Sequence, residues 1–266
     1  MITSPSNGKI KWVCTLREKA KFRKKEQKFI AEGCKMFLEA PEERLCEVYV
    51  SESFLKKDGE LENACRQRLK KVPYEVVSDD VYKKMSDTVT PQGILSVITI
   101  KEAKLGDLLK STKTPLFVLL ENLQDPGNLG TILRTAEGAG VTGVILSRDC
   151  VDIYNPKVIR STMGSVYRVP HFYADNFHEV IDELKETGVT VYAAALESGE
   201  IYDTYSYVEG SAFIIGNEGN GLRPETVTKA GKRCYLPMEG RVESLNASVA
   251  ASVLMYEAYR QRRSKG

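Results

Sequence analysis

FIIGNEGNGL at residues 213–222 and LPMEGRVESLNASVAASVLMY at residues 236–256 decide how this chain folds. In each, an apolar strand-like run breaks abruptly. The first breaks at a turn holding Gly216, Gly219 and Gly221; the second breaks in a polar loop that opens a helix of small residues. Strand ends of this kind offer backbone groups to a ligand, and repeated glycine marks places where backbone must approach something closely. A third segment, ENLQDPGNLGTILR at residues 121–134, repeats the design and sets Arg134 four residues beyond Gly130, about one helical turn on.

Around these segments, apolar runs PLFVLL (115–120), GVILS (143–147), VYAAAL (191–196), AFIIG (212–216) and CYLP (234–237) alternate with amphipathic stretches. Continuous apolar strands of this type belong to a mostly parallel sheet covered on both faces. The pattern therefore predicts an α/β fold with a doubly wound sheet and ligands at the strand C-termini. Asn155 followed by Pro156 reads as a helix cap with proline at the first helical position, and Asp175 precedes a helix running through Leu184. Pro126 and Gly127 read as a turn, with Asn128 as the cap of the helix that carries Arg134.

Upstream, residues 8–40 read as helical, followed by short β-rich runs VYVS (48–51), YEVV (74–77) and ILSVITI (94–100). Helical stretches near 53–70 and 78–86 separate them, which makes residues 1–100 a small α/β domain. The polar stretch KEAKLGDLLKSTKT (101–114) reads as a linker, and residues 115–266 as the second domain.

The chain has 266 residues, 42% of them hydrophobic, enough for a sizeable core, and a formal net charge of only +2. Total charge thus gives no argument for a nucleic-acid partner, but its distribution is uneven. Ten basic residues, among them Lys9, Lys11, Arg23, Lys24 and Lys25, stand against three acidic ones between Lys9 and Lys35. A solvated helix face and a phosphate-contacting stripe are both open to such a run. The six cysteines are scattered without a Cys-x-x-Cys pair and there are only two histidines, so no metal site is expected. No apolar run is long enough to span a bilayer and the opening MITSPSNGKIKW lacks an apolar core; the expectation is a cytoplasmic protein.

Directly after PLFVLL the chain carries neither Gly-x-Gly-x-x-Gly nor a Gly-Lys-Ser phosphate loop, which argues against a nucleotide-dependent oxidoreductase. Glu218 reads instead as a carboxylate facing a cleft. Residues 237–242 lead into Ser244, Leu245 and Asn246, and Ala247, Ala250 and Ala251 allow close packing along the next helix.

In this order and spacing the three segments resemble the motifs of the SpoU-type branch of the SPOUT superfamily. These are RNA ribose 2'-O-methyltransferases that use S-adenosylmethionine. The resemblance covers about residues 115–262 and includes NPKVIRSTMGS at 155–165. It implies a parallel sheet whose C-terminal part forms a trefoil knot, and a homodimer with the helix after Asn246 in the interface. Residues 1–100 resemble the family's accessory substrate-binding domain, a small ribosomal-protein-like α/β unit. By resemblance, Gly216, Leu236 and Leu245 hold the cofactor, with Leu196 and Met238 as neighbours. Arg134, Asn128, Glu218, Ser244 and Asn246 form the catalytic group, in which Glu218 pairs with Arg134. RNA would be gripped by Lys9, Lys11, Arg23, Lys24, Lys25 and Arg160. The implied substrate is large-subunit ribosomal RNA in preference to transfer RNA; a catalytically inactive RNA-binding protein on the same fold is the other reading.

Overall fold

The computed structural model describes residues 1–195 and 199–264, which divide into two compact units. The first comprises Met1–Lys101 together with Asp152–Tyr167, and the second Glu102–Val151 with Arg168–Gly266.

The first unit is built on a mixed four-stranded sheet of β1 (Lys28–Glu32), β2 (Leu45–Ser51), β3 (Glu75–Val77) and β4 (Ile94–Thr99), in the order β1-β4-β2-β3. β4 runs antiparallel to both β1 and β2, and β2 and β3 are parallel. Residues 8–40 are thus not helical throughout. Helices Gly8–Glu18 and Ala20–Glu26 end at Gln27, whose left-handed backbone (φ 52°) turns the chain into β1. Phe29, Ile30 and Ala31 of β1 are all buried, and Gly33 at φ 109° redirects the chain into the Cys34–Glu39 helix.

Segment 152–167, which the sequence places in the second domain, belongs to the first unit. Its Pro156–Thr162 helix packs on β1, and the Phe29 and Tyr154 rings stack with centroids 4.9 Å apart. Arg23 fastens the start of this segment. It is only 3% exposed, its Nε and Nη2 donate to one oxygen of Asp152, and its Nη1 donates to the carbonyls of Leu16 and Arg17.

Among its described residues the second unit contains seven parallel strands, β5 (Leu116–Leu120), β6 (Gly143–Leu146), β7 (His171–Tyr173), β8 (Thr190–Ala194), β9 (Glu200–Ile201), β10 (Ser211–Ile215) and β11 (Lys232–Tyr235). Their order is β7-β6-β5-β10-β8-β11-β9. Every residue of β5 and of β10 is buried, so both faces of the sheet are covered. Phe117, Leu119, Ala212 and Ile214 share one core with Ile181 and Leu184 of the Phe177–Glu186 helix. Leu105 and Leu108 join the same core from a Leu105–Ser111 helix that lies inside the stretch read as a linker. The Pro126–Gly138 and Ala247–Arg263 helices pack against each other and against β6 and β10. β7 and β9, three and two residues long, are too short to be read as apolar runs.

The strand order turns back between β5 and β10. β6 and β7 extend from β5 on one side, and β8, β11 and β9 from β10 on the other. Loops leaving the carboxyl ends of two such neighbours diverge and open a crevice, the ordinary ligand position of a parallel sheet.

Candidate functional site

The loop after β10 is held in a tight turn. Asn217 and Gly221 exchange backbone hydrogen bonds of 3.0 and 2.9 Å, and the Asn217 side-chain oxygen accepts from the N–H groups of Gly219 and Asn220. Gly216 has to be glycine because a Cβ there would stand 2.3 Å from the Gly221 carbonyl carbon, far inside contact distance. This turn, residues 236–245 and the first turns of the Ala247–Arg263 helix enclose a cavity of about 260 Å³. Gly216, Leu236, Met238 and Leu245 line it, as do Glu218 and Ser244. Leu196, also expected there, lies outside the described residues.

Asp125, not Asn128, caps the Pro126–Gly138 helix: its carboxylate accepts from the Asn128 N–H at 2.7 Å, and Pro126 occupies the first helical position. Pro126 and Gly127 are the first helical residues instead of a preceding turn. Relieved of capping, the buried Asn128 amide points sideways. Its Nδ2 donates to Glu218 Oε1 at 3.0 Å, and its Oδ1 accepts from Asn246 Nδ2 at 2.9 Å. Asn246 uses its remaining oxygen to cap its own helix, accepting from the N–H groups of Ser248 and Val249. Glu218, Asn128 and Asn246 thus join three segments that are distant in sequence by side-chain hydrogen bonds.

Glu218 also accepts from the backbone N–H groups of Asp125 (2.8 Å) and Gln124 (3.1 Å). Burial pushes its carboxyl up, but the hydrogen bonds from Asn128, Asp125 and Gln124 outweigh burial and hold it below the usual carboxylate range. It is therefore ionised at neutral pH. The expected ion pair between Glu218 and Arg134 is not formed. Arg134 is exposed on the Pro126–Gly138 helix and makes no hydrogen bond or ion pair among the described residues. It does not line the cavity, and neither do Asn128 and Asn246.

Among the described residues lining the cavity there is no Lys or Arg, and the two charged side chains are Glu218 and Glu243. Such a site repels the phosphates of a dinucleotide and favours a cation. Its apolar walls, including Leu236, Leu245 and Leu254, suit a flat heterocycle. A ligand combining a purine ring with a positive sulfonium fits this donor set.

Of the basic residues expected to meet RNA, Lys9, Lys11, Lys24, Lys25 and Arg160 are exposed. Lys9 pairs with Glu75 at 2.7 Å and Arg160 approaches Asp87 at 3.7 Å. Arg23 has to be removed from that group: its guanidinium is consumed inside the first unit by Asp152 and two carbonyls. Sequence reasoning also missed Asp125, although an acidic residue directly before a proline is a recognisable helix start.

Residues 7–96 match the MRM3-like substrate binding domain, and residues 115–256 match the SpoU rRNA Methylase family. The 23S rRNA (guanosine(2553)-2'-O)-methyltransferase RlmP of Bacillus subtilis is 39% identical over 181 residues, covering 68% of this chain and 70% of that protein. The crystal structure of an AdoMet-bound rRNA methyltransferase from Sinorhizobium meliloti has a TM-score of 0.83 at 28% identity and covers 97% of each chain. That of an RNA 2'-O ribose methyltransferase has a TM-score of 0.82 at 30% identity, covering 98% of this chain and 99% of the other. The stretch 115–256 is more than half of the chain and contains both cavity loops and the Asn128 helix that ties them together; on that match, this chain belongs to the SpoU rRNA Methylase family.

Proposed function

We propose that this chain transfers a methyl group from S-adenosylmethionine to a ribose 2'-hydroxyl of ribosomal RNA, with the large subunit as substrate. The observation that carries this reading is the cavity of glycine turn, apolar wall and carboxylates, braced through Glu218, Asn128 and Asn246. The cofactor, when bound, supplies an electrophilic methyl group on a positively charged sulfur. The ribose 2'-oxygen would take that methyl group, the sulfur leaving as the neutral thioether of S-adenosylhomocysteine and the hydroxyl proton passing to solvent water. Positioning of the two reactants supplies much of the rate in such a displacement.

In this reading Gly216, Leu236, Met238 and Leu245 seat the cofactor. Glu218 and Ser244 face it from the cavity wall, and Asn128 and Asn246 hold Glu218 in place. Arg134 meets the RNA. A guanidinium offers a fork of N–H donors and no acceptor, so in this reading Arg134 binds the neighbouring phosphate and stabilises the developing alkoxide. That it makes no hydrogen bond or ion pair among the described residues supports that role. Lys9, Lys11, Lys24, Lys25 and Arg160 contribute phosphate contacts from the first unit.

The protein works as a homodimer in the cytoplasm. The dimer is supported by Val249, Tyr256 and Tyr259, which are 47%, 48% and 37% exposed and follow one face of the Ala247–Arg263 helix. The reading is tested by incubating the protein with ribosomal RNA and methyl-labelled S-adenosylmethionine and digesting the product to nucleosides. Label in a 2'-O-methylated nucleoside is expected; label in a methylated base would overturn it.

A further inference from the structure

Glu121, the residue directly after β5, is 1% exposed and grips both ends of the 216–222 loop. Its backbone N–H donates to the carbonyl of Ile215, the last residue of β10, at 2.9 Å. Its side-chain Oε2 accepts from the backbone N–H of Arg223 at 2.8 Å. The whole glycine turn that lines the cavity lies between those two bonds. Oε1 accepts from the Thr226 hydroxyl at 2.5 Å, and the Arg223 guanidinium stands 3.6 Å away. Thr226 is fully buried, and its oxygen lies 2.8 Å from Nε2 of His178. A carboxylate paired with Arg223 only accepts, so the single Thr226 hydroxyl proton goes to Glu121. Thr226 must then accept from an Nε2–H on His178.

We propose that Glu121 is the positioning residue that sets the shape of the cofactor loop, backed by an oriented chain from His178 Nε2–H through Thr226. The proposal rests on the reading that the cavity holds S-adenosylmethionine. Its chemistry makes the conservative variant informative. In Glu121→Gln the Arg223 N–H can only donate, so the amide oxygen must face it and the amide NH₂ must face Thr226. Thr226 then accepts, turns its own proton to His178 Nε2, and His178 has to carry its proton on Nδ1. Loop geometry survives while the tautomer reverses. In Glu121→Ala both side-chain bonds are lost and the loop is released.

The test combines ¹⁵N NMR of the two histidines in mildly alkaline buffer with calorimetry of S-adenosylhomocysteine binding to the full-length protein, His178 being assigned with His178→Asn. The expected result is the Nε2–H tautomer in the wild type and Nδ1–H in Glu121→Gln, which binds within about threefold of wild type. Glu121→Ala is expected to bind about tenfold or more weakly. An Nδ1–H tautomer in the wild type, or wild-type affinity in Glu121→Ala, would overturn the proposal. If Glu121→Ala does not fold, Thr226→Val carries the same test: His178 is expected to fall back to the tautomer mixture of an unpartnered neutral imidazole, in which Nε2–H predominates without being exclusive, and an exclusive Nε2–H with the wild-type shifts refutes the chain. Failure of the wild type to bind would instead remove the cofactor reading, with the tautomer still judging Glu121.

Discussion

Glu218 decides which way two amides face. Because its carboxylate only accepts, Asn128 must turn its NH₂ towards it, which leaves Oδ1 to receive the Asn246 NH₂ and commits the Asn246 oxygen to capping its helix. One ionised group thereby fixes the geometry of three segments. Its carboxyl lies below the usual value of 4.5, so its contribution to stability is fully present above that value and is lost as pH falls through the lower folded value. The difference in thermal midpoint between wild type and Glu218→Gln is accordingly expected to stay constant from neutral pH down to about 4.5 and to shrink only below it. A difference that already fades near neutrality would refute this ordering. Arg134 stands apart from the network. Arg134→Ala is expected to leave cofactor affinity unchanged and to lower the rate of methyl transfer about 100- to 1,000-fold or more, as measured in single turnover. Normal turnover would remove Arg134 from the reaction.

At the scale of elements, what was legible in the sequence and what was not have different physical causes. β5, β6, β8 and β10 were legible because their burial is intrinsic to their apolar runs, whereas β11 meets the CYLP run only at Cys234 and Tyr235 and buries Cys234 alone. β1 was not, because Lys28–Glu32 comes after a basic helical stretch and becomes a strand only by pairing with β4, some seventy residues later in the chain. Arg23 looked like part of an exposed stripe for the same reason: its partner Asp152 is 129 residues away. The cavity residues were legible from glycine spacing and resemblance, whereas the Asp125 cap and the Glu121 clamp depend on geometry across the sheet. Removing one partner of a buried, hydrogen-bonded pair costs about 3–5 kcal/mol. Because the Asp152 side chain is 24% exposed and can be partly solvated, Arg23→Ala is expected to lower the stability of the first unit by up to that amount in denaturant unfolding, and to raise hydrogen exchange across residues 152–167. Exchange there at the wild-type rate would show that Arg23 does not fasten the segment.

At the scale of the whole molecule, the Ala247–Arg263 helix carries two tasks. Its first turns line the cavity with Ala247, Ala250 and Leu254, and farther along it exposes Val249, Tyr256 and Tyr259. Tyr256→Glu is expected to yield a monomer in sedimentation velocity where the wild type sediments as a dimer; a wild-type monomer would remove the dimer from the account. Methylation of ribosomal RNA by this cavity is tested most directly by mapping 2'-O-methyl groups at nucleotide resolution. Ribosomal RNA from cells with and without this protein would be compared, with the missing gene restored as wild type or as Arg134→Ala. The expected map lacks one large-subunit ribose methylation in the deficient cells, regains it with the wild type and not with Arg134→Ala. Identical maps with and without the protein would contradict the account.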